Sequence, residues 1–361
     1  MKYYMPVRLY DEKDCVVRHA DDIANVGRKA LIVTGRRSAF LNGAFDDLIS
    51  ALSSGGVSYL VFSEVEENPS TDTVLSAAAR FAGEGVDMVI GIGGGSAMDA
   101  AKAIALLLRH PGAGLDYLYD PDKSPEALPV ICVPTTCGTG SEVTGVSVLT
   151  RHDKKTKISM VHKVFPVLSL IDGKYLKNAP HSLIVNSSVD ALAHLYESLL
   201  NQKADDYVKM TAFAGLGMWS LTRDVLTGKR ECTDEDRSYL MRSSAIAGMS
   251  IAQSGTSIPH ALSYTITYDL GIAHGMAAGF FLPGFIALAP GKERKEILNL
   301  SGFADTDELT SFIANASGGI NIPDDELEKA YEKVRNNEAK MKSASFDIDE
   351  KTLRDIVWYM I

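Results

Sequence analysis

The 361-residue sequence predicts two domains, an α/β domain with a parallel sheet followed by an all-helical domain. A chain of this length exceeds what one hydrophobic core usually supports. Short β-rich apolar runs alternate with helical patterns in the first half, whereas only helical patterns follow from about residue 182. A polar stretch with a proline, residues 173–182, separates the two halves. We therefore predict domains of residues 1–177 and 178–361.

Four apolar runs in the first half predict strands, and a helical pattern lies between the second and third of them. The strands are predicted at residues 30–34, 59–62, 86–90 and 128–133, and the helix at residues 71–83. Strands separated by helices are typical of βαβ crossovers, which produce a parallel sheet covered by helices on both faces.

The second half predicts successive helices, at residues 185–200, 205–226, 233–253 and 324–341. The last one is strongly charged, so we expect a solvated surface helix. The longest apolar stretch, residues 275–290, is interrupted by glycine and proline and is too short to span a membrane. This stretch favours a buried helix.

Composition argues against several classes of protein. Lys and Arg number 36 against 46 Asp and Glu, and the net charge of −10 gives no general attraction for nucleic acids or anionic membranes. The four cysteines include no C-x-x-C pair, which argues against a thiolate zinc site and a disulfide-rich secreted fold. The N-terminus has no apolar signal core. We expect a cytoplasmic protein that binds neither nucleic acid nor membrane.

A glycine-rich turn, residues 90–99, follows the third predicted strand and precedes a helix predicted at residues 97–108. Glycines let a diphosphate approach the backbone amides, and the start of a helix adds partial positive charge. Ser96 and Asp99 match a capping box for that helix. The alternative is a tight turn without a ligand, because the common dinucleotide fingerprint follows the first strand of its domain.

A second polar turn, residues 133–144, follows the fourth predicted strand and is rich in threonine. Ligands bind at the carboxyl ends of strands in α/β sheets, and threonine hydroxyls can donate to phosphate and carboxamide groups. The alternative is a Ser/Thr-rich loop that caps the next helix. Two such turns at successive strand ends favour a nucleotide site.

Three of the eight histidines are placed as metal ligands would be. Asp190 and His194 are four residues apart on one face of a predicted helix, and His260 and His274 follow later in the chain. An aspartate with three imidazoles suits Fe²⁺, Zn²⁺, Mn²⁺ or Co²⁺, and an open position would make the metal a Lewis acid. For each histidine alone, the alternative is a hydrogen-bonded core residue, and His194 could pair with Glu197 or Asp190. We expect no metal role for the other histidines.

Together these motifs resemble the iron-containing (group III) alcohol dehydrogenase family. The resemblance extends from about residue 8 to 283 and is carried by Gly93–Lys102, Pro134–Glu142, Asp190–His194, His260 and His274. It implies a Rossmann-like sheet domain and a helical domain, the fold shared with dehydroquinate synthase. It also implies a metal-dependent alcohol dehydrogenase or aldehyde reductase that transfers a hydride between NAD(P)(H) and a small primary alcohol, diol or aldehyde. A homodimer is expected.

The resemblance assigns roles to individual residues. The implied metal ligands are Asp190, His194, His260 and His274, with Fe²⁺ favoured and Zn²⁺ as the alternative. The implied cofactor contacts are Gly94, Gly95, Ser96, Asp99, Thr135, Thr136, Thr139, Thr144 and Lys157. Many members have a proton-relaying histidine where Tyr264 stands, so Tyr264 and His274 are the expected catalytic residues. Cys137 stands where the family often has alanine.

The choice between NAD and NADP is predicted from the absence of an acidic residue after the strand at residues 30–34. Selection of NAD usually requires an acidic side chain beside the adenosine ribose, and in this family an aspartate can follow the strand at residues 30–34. Here Gly35, Arg36, Arg37 and Ser38 follow that strand. A guanidinium can bind two phosphate oxygens at once, so NADP is favoured over NAD. Two solvated arginines after a glycine turn are the alternative.

Two alternative functions remain open. Within the superfamily, glycerol or polyol dehydrogenases, glycerol-1-phosphate dehydrogenases and dehydroquinate synthases use a similar metal site. Phosphorylated substrates need a cationic pocket, and the sequence has no Lys/Arg cluster near His260 or His274. An inactive regulator that binds nucleotide and metal is the alternative from another class. A missing ligand or a bulky residue in the glycine turn would favour it, and neither is found.

Overall fold

The structure is a computed structural model that describes residues 3–361. The chain divides into two compact units. The first, here called the sheet unit, contains residues 5–136 and 140–179. The second, here called the helical unit, contains residues 180–361, the segment Cys137–Thr139 and the described residues before Met5.

The sheet unit contains eight strands and six α-helices among its described residues. The strands are β1 (Arg8–Asp11), β2 (Lys29–Gly35), β3 (Ser58–Val65), β4 (Met88–Gly93), β5 (Val130–Pro134), β6 (Val148–Arg151), β7 (Thr156–Ser159) and β8 (Leu168–Ile171). The helices are α1 (Cys15–Arg18), α2 (Ala20–Ala24), α3 (Ser38–Leu41), α4 (Ala44–Ser54), α5 (Thr71–Phe81) and α6 (Gly95–Arg109). Six strands form one parallel sheet in the order β1-β8-β5-β4-β2-β3, and β6 and β7 form an antiparallel hairpin.

Helices cover both faces of the parallel sheet, as predicted. In β2, Leu31 and Val33 pack toward α5 and α6, whereas Ala30 and Ile32 pack toward α1, α2 and α4. A strand that is buried on both faces has a continuous apolar run, which is why the central strands β2, β4 and β5 are recognisable in the sequence. The four predicted runs correspond to β2, β3, β4 and β5.

The carboxyl ends of three central strands lie side by side. Thr34 of β2 pairs with Ile92 of β4, and Gly93 of β4 pairs with Pro134 of β5. Ligand-binding loops extend from this edge in open parallel sheets. The glycine-rich turn and the start of the threonine-rich turn therefore follow two adjacent strands.

The described residues of the helical unit contain the remaining eleven α-helices. They are α7 (His181–Leu199), α8 (Asp206–Leu221), α9 (Arg223–Leu226), α10 (Asp234–Ser254), α11 (Ile258–Leu270), α12 (His274–Ala287), α13 (Gly291–Leu300), α14 (Thr306–Ala316), α15 (Asp324–Arg335), α16 (Glu338–Met341) and α17 (Glu350–Val357). Helix α7 packs against α8, α10 and α12 and is buried from Ser187 onward. Helix α12 is almost wholly buried, as predicted. No helix within residues 3–361 has the length and apolar composition that a membrane crossing requires.

Several local predictions were wrong. The charged stretch 324–341 forms two helices, because α15 ends at Arg335 and Asn337 caps α16 by accepting from the Lys340 amide. Helix α15 lies at the surface as expected and buries one face, which includes Leu327 and Ala330. The stretch 205–226 likewise divides, into α8 and α9. Strands β1, β6, β7 and β8 were missed; each has only four residues, too few for a clear pattern.

The predicted capping box is also wrong. Helix α6 begins at Gly95 with Gly94 as its N-cap, so Ser96 and Asp99 lie inside the helix. The Ser96 hydroxyl accepts from the Asn68 amide at 3.1 Å. The Asp99 carboxylate accepts from the Ser141 hydroxyl at 2.6 Å and from the Val148 amide at 2.8 Å. Both side chains therefore bind distant parts of the sheet unit rather than the helix start.

Candidate functional site

The helical unit gathers an aspartate and two histidines into one cluster. Asp190 comes from α7, His260 from α11 and His274 from the first position of α12, and their ligand atoms lie within 4.8 Å of one another. Asp190 Oδ1 is 3.3 Å from His260 Nε2 and 3.9 Å from His274 Nε2. Three of the four residues predicted as metal ligands thus converge although they come from three different helices.

The fourth predicted ligand, His194, lies beside this cluster. It follows Asp190 by one turn of α7, and its ring stacks on that of His260 with centroids 4.3 Å apart. Its Nδ1 atom is 3.2 Å from the Gly138 carbonyl oxygen. Gly138 lies so close to α7 that a Cβ there would be 2.6 Å from the Ser187 carbonyl oxygen.

All three imidazoles turn Nδ1 toward a protein oxygen. These oxygens are the Gly138 carbonyl for His194, the Glu197 carboxylate for His260 at 2.7 Å and the Ser263 hydroxyl for His274 at 3.5 Å. Nε2 of His260 and of His274 then faces Asp190 Oδ1, at 3.3 Å and 3.9 Å. Histidine ligands in metal sites are commonly held through their other ring nitrogen in this way.

The chemistry of the cluster fits a divalent metal. Asp190 Oδ1 and His260 Nε2 are both buried and have no hydrogen-bond partner. Unpaired buried polar atoms are costly, so two of them aimed at one point call for a cation between them. One carboxylate with imidazole nitrogens is a donor set that suits iron and zinc.

Electrostatics in the cluster follow from burial and neighbouring charge. Burial raises the pKa of Asp190, but the imidazoles of His194, His260 and His274 outweigh it and hold the pKa well below its usual range. Burial lowers the pKa of His194 to about 4, against the attraction of Asp190. Burial also opposes a charge on His260, but Glu197 and Asp190 raise its pKa to about 9.

Tyr264 lies beside His274. Its ring stacks on the His274 ring with centroids 5.9 Å apart and an interplanar angle of 21°. Both side chains are partly exposed, unlike Asp190 and His260. The two residues expected from sequence to be catalytic are therefore neighbours at the accessible side of the cluster.

In the sheet unit, the glycine-rich turn leaves no room for side chains. A Cβ on Gly93 would be 2.9 Å from the Ala97 Cβ, and one on Gly94 would be 3.1 Å from the Thr136 side chain. Gly93 also has a φ of 145°, which L-residues rarely adopt. The backbone at the start of α6 is consequently bare, as close contact with a diphosphate requires.

Two buried hydroxyls near this turn have no partner. Thr34 is the penultimate residue of β2 and Thr135 follows β5, and neither Oγ1 atom has a hydrogen-bond partner. Thr135 is held by its amide, which donates to the Gly93 carbonyl at 2.8 Å. Together with the bare glycines, these hydroxyls fit the dinucleotide predicted from the sequence. Thr34 was missed, although its place at a strand end could have identified it.

A buried lysine supports the segment Ser141–Val148. Lys102 of α6 is fully buried, and its Nζ donates to the Ser141 carbonyl and hydroxyl, both at 2.7 Å, and to the Val146 carbonyl at 2.9 Å. The Thr144 hydroxyl lies 3.5 Å from the same Nζ. Asp99 binds this segment too, so the predicted cofactor residues Asp99 and Thr144 belong to one network.

Lys157 and Ser96 are linked through a residue that the sequence analysis did not identify. Lys157 Nζ, on β7, donates to Asn68 Oδ1 at 2.9 Å, and the Asn68 amide donates to Ser96. Asn68 has a φ of 57° and precedes Pro69. Asparagine tolerates the left-handed conformation and favours turns. The Asn68–Pro69 pair is therefore a turn signal that could have been recognised in the sequence.

The remaining predicted residues are placed as follows. Gly35 ends β2, and Arg36, Arg37 and Ser38 after it are exposed. Thr139 belongs to the helical unit with Cys137, whose buried Sγ lies 3.2 Å from the Ser187 hydroxyl. The alternative in which His194 pairs with Glu197 is not found, because Glu197 binds His260 instead.

Comparisons with known proteins agree with these observations. The family model "Iron-containing alcohol dehydrogenase" matches residues 6–173, and the model "Fe-containing alcohol dehydrogenase family, C-terminal" matches residues 184–352. Long-chain-alcohol dehydrogenase 1 of Geobacillus thermodenitrificans is 30% identical over 333 residues, covering 85% of this chain and 83% of that protein. Sulfoacetaldehyde reductase of Bilophila wadsworthia is 31% identical, covering 73% and 68%. A crystal structure of an iron-containing alcohol dehydrogenase from Thermotoga maritima superposes with a TM-score of 0.91 at 33% identity and covers 99% of each chain.

Proposed function

The chain belongs to the iron-containing alcohol dehydrogenase family, and we propose that it transfers a hydride between NAD(P)(H) and a small primary alcohol, diol or aldehyde. Membership makes it an oxidoreductase that acts on CH–OH groups. The observation that carries the proposal is the pair of buried, unpartnered atoms Asp190 Oδ1 and His260 Nε2, 3.3 Å apart and beside His274.

In this proposal the metal ligands are Asp190, His194, His260 and His274, and Fe²⁺ is the resident ion, with Zn²⁺ as a substitute. The metal supplies Lewis acidity toward the substrate oxygen. The chain's own contribution is to present one negative charge and three ring nitrogens in fixed orientations. Tyr264, next to His274, is proposed to donate or accept the proton that accompanies hydride transfer.

The proposed cofactor site lies in the first turn of α6 and the segments around it. Gly94, Gly95 and Ser96 present backbone amides to the diphosphate, and Thr135, Thr136, Thr139, Thr144 and Lys157 contribute side chains. Asp99 accepts from the Ser141 hydroxyl and the Val148 amide and so holds the segment Ser141–Val148 within the sheet unit. NADP is the proposed cofactor, because exposed Arg36, Arg37 and Ser38 follow β2 without an acid. A homodimer is proposed from the family resemblance.

The proposal is tested by metal reconstitution and a substrate screen. Metal-free protein loaded separately with Fe²⁺ or Zn²⁺ is expected to oxidise NADPH with short-chain aldehydes, followed by absorbance of the reduced nicotinamide. His260→Ala should lose both metal binding and turnover while retaining NADPH binding. His162→Ala, which removes a buried histidine of the sheet unit, is the matched control and should retain both. A His260→Ala protein with full activity and stoichiometric metal would contradict the assignment.

A further inference from the structure

The carboxylate of Glu197 is fully buried and is surrounded by three N–H donors from the start of α11. Oε2 accepts from His260 Nδ1 at 2.7 Å and from the Ser257 amide at 3.2 Å, and Oε1 accepts from the His260 amide at 2.8 Å. We propose that Glu197 is a positioning residue, which fixes the His260 ring so that Nε2 faces Asp190 and the metal. This inference rests on the metal site proposed above.

The contacts restrict His260 in two ways. A neutral imidazole can carry its proton on either nitrogen, and a carboxylate at Nδ1 selects the form with the proton on Nδ1. The other carboxylate oxygen holds the backbone amide of the same residue, so the ring and the main chain of His260 are bound by one side chain. Nε2 is then left as the lone-pair donor.

Glu197 is placed for this role by α7. It follows Asp190 by seven residues and His194 by three, so one helix face carries two proposed ligands and the group that orients a third. Its oxygens face Nδ1 of His260, whereas Asp190 lies at Nε2 on the other side of the ring. Glu197 therefore supports the ligand set without belonging to it.

Glu197 also stabilises the start of α11, and this second role must be separated in the test. The N-cap residue Ser257 makes no capping bond through its side chain, and Glu197 accepts from the amides of Ser257 and His260 instead. A negative charge at a helix N-terminus is favourable in itself. Loss of stability alone would thus not demonstrate positioning.

The matched control is Asp236. This buried carboxylate accepts from the amide and hydroxyl of Thr233 at the start of α10, and Arg230 donates to it at 2.5 Å. It resembles Glu197 in burial and in binding a helix start, but its described partners include no histidine. Asp236→Asn should therefore lower the thermal midpoint without changing metal affinity.

The experiment titrates metal-free wild type, Glu197→Gln and Asp236→Asn with Zn²⁺ against a chromophoric chelator. In Glu197→Gln, the amide oxygen cannot accept from all three donors, and its NH₂ group faces an N–H. We expect Zn²⁺ affinity to fall about 10- to 100-fold, the usual effect of losing such a support, and Asp236→Asn to bind as wild type does. In parallel, ¹⁵N-histidine spectra of the Zn²⁺-loaded wild type should show a protected Nδ1 proton on His260, assigned by its absence in His260→Ala.

The outcomes distinguish the two proposals. If Glu197→Gln binds Zn²⁺ as tightly as the wild type does, whatever its loss of stability, then Glu197 only caps α11. That result would overturn the inference and leave the proposed metal site intact. Failure of the wild type to bind Zn²⁺ would overturn the metal site itself. If Glu197→Gln does not fold, the wild-type spectrum decides, because ligation of His260 through Nδ1 contradicts the inference and a protected Nδ1 proton supports it.

Discussion

The three imidazoles around Asp190 differ in exposure although each directs Nδ1 toward a protein oxygen. His194 and His260 are buried, whereas the side chain of His274 is 23% exposed and has the ring of Tyr264 stacked on it. A group that exchanges protons with solvent needs this kind of access, and burial would deny it. Tyr264 is therefore better placed than either buried histidine to carry a proton.

Replacement of Tyr264 by phenylalanine tests this role. Tyr264→Phe keeps the ring that stacks on His274 but removes the hydroxyl, so kcat for alcohol oxidation should fall about 10²- to 10⁴-fold, as for loss of a general acid–base group. The dissociation constant of NADPH, measured by fluorescence, should be unchanged. Tyr268→Phe, one turn further along α11, is the control. Unchanged kcat across the pH range would leave Tyr264 with a packing role.

At the level of single elements, strands of five residues or more and long helices could be predicted, and strands of four residues could not. Strand β4 is fully buried and has an unbroken apolar pattern, whereas β1 is partly exposed and has four residues of mixed character. The start of α6 was misassigned because a capping pattern is local, while Ser96 and Asp99 bind residues far away in the sequence. Hydrogen bonds to residues distant in the sequence thus took the place of the local capping pattern.

In the candidate site, too, contacts within one helix could be predicted and contacts between helices could not. The spacing of Asp190 and His194 places both on one face of α7, which a helical period predicts directly. The approach of His260 and His274 depends on how α11 and α12 pack, and only the family resemblance indicated it. The contact of Glu197 with His260 could not be predicted, because spacing along α7 identifies neighbours on that helix but not those on α11.

The end of β2 supports a prediction about cofactor choice. A Cβ on Gly35 would lie 3.4 Å from the Val65 carbonyl, an ordinary contact, and its φ is not in the left-handed region. Gly35→Asp should therefore fold and place a carboxylate where we propose the 2′-phosphate. We expect the ratio of kcat/KM for NADPH to that for NADH to fall at least tenfold, about 1.4 kcal/mol. Gly35→Asn controls for size, and a wild type that already prefers NADH would refute the choice of NADP.

Across the whole chain, the Lys102 network and the metal cluster are built from separate sets of contacts. The metal cluster uses α7, α11 and α12 of the helical unit, and the bonds that Lys102 makes lie within the sheet unit. Each unit has its own buried core and its own network of buried polar groups. Substitutions in the Lys102 network should therefore change cofactor affinity and spare metal affinity, since groups that share no hydrogen-bond partners act independently.

Lys102→Met is the sharpest test of this independence. Methionine keeps most of the volume of lysine but donates no hydrogen bond, so the Ser141 and Val146 carbonyls lose their buried donor, at a cost of about 1–3 kcal/mol each. The segment Ser141–Val148 should loosen, and NADPH affinity should fall about tenfold or more. Zn²⁺ affinity should equal that of the wild type. Ile104→Ala, a cavity at another buried position of α6, destabilises the same helix without touching that segment. Equal loss of NADPH affinity in both variants would show general destabilisation, and a change in Zn²⁺ affinity with Lys102→Met would show that the two sites are coupled.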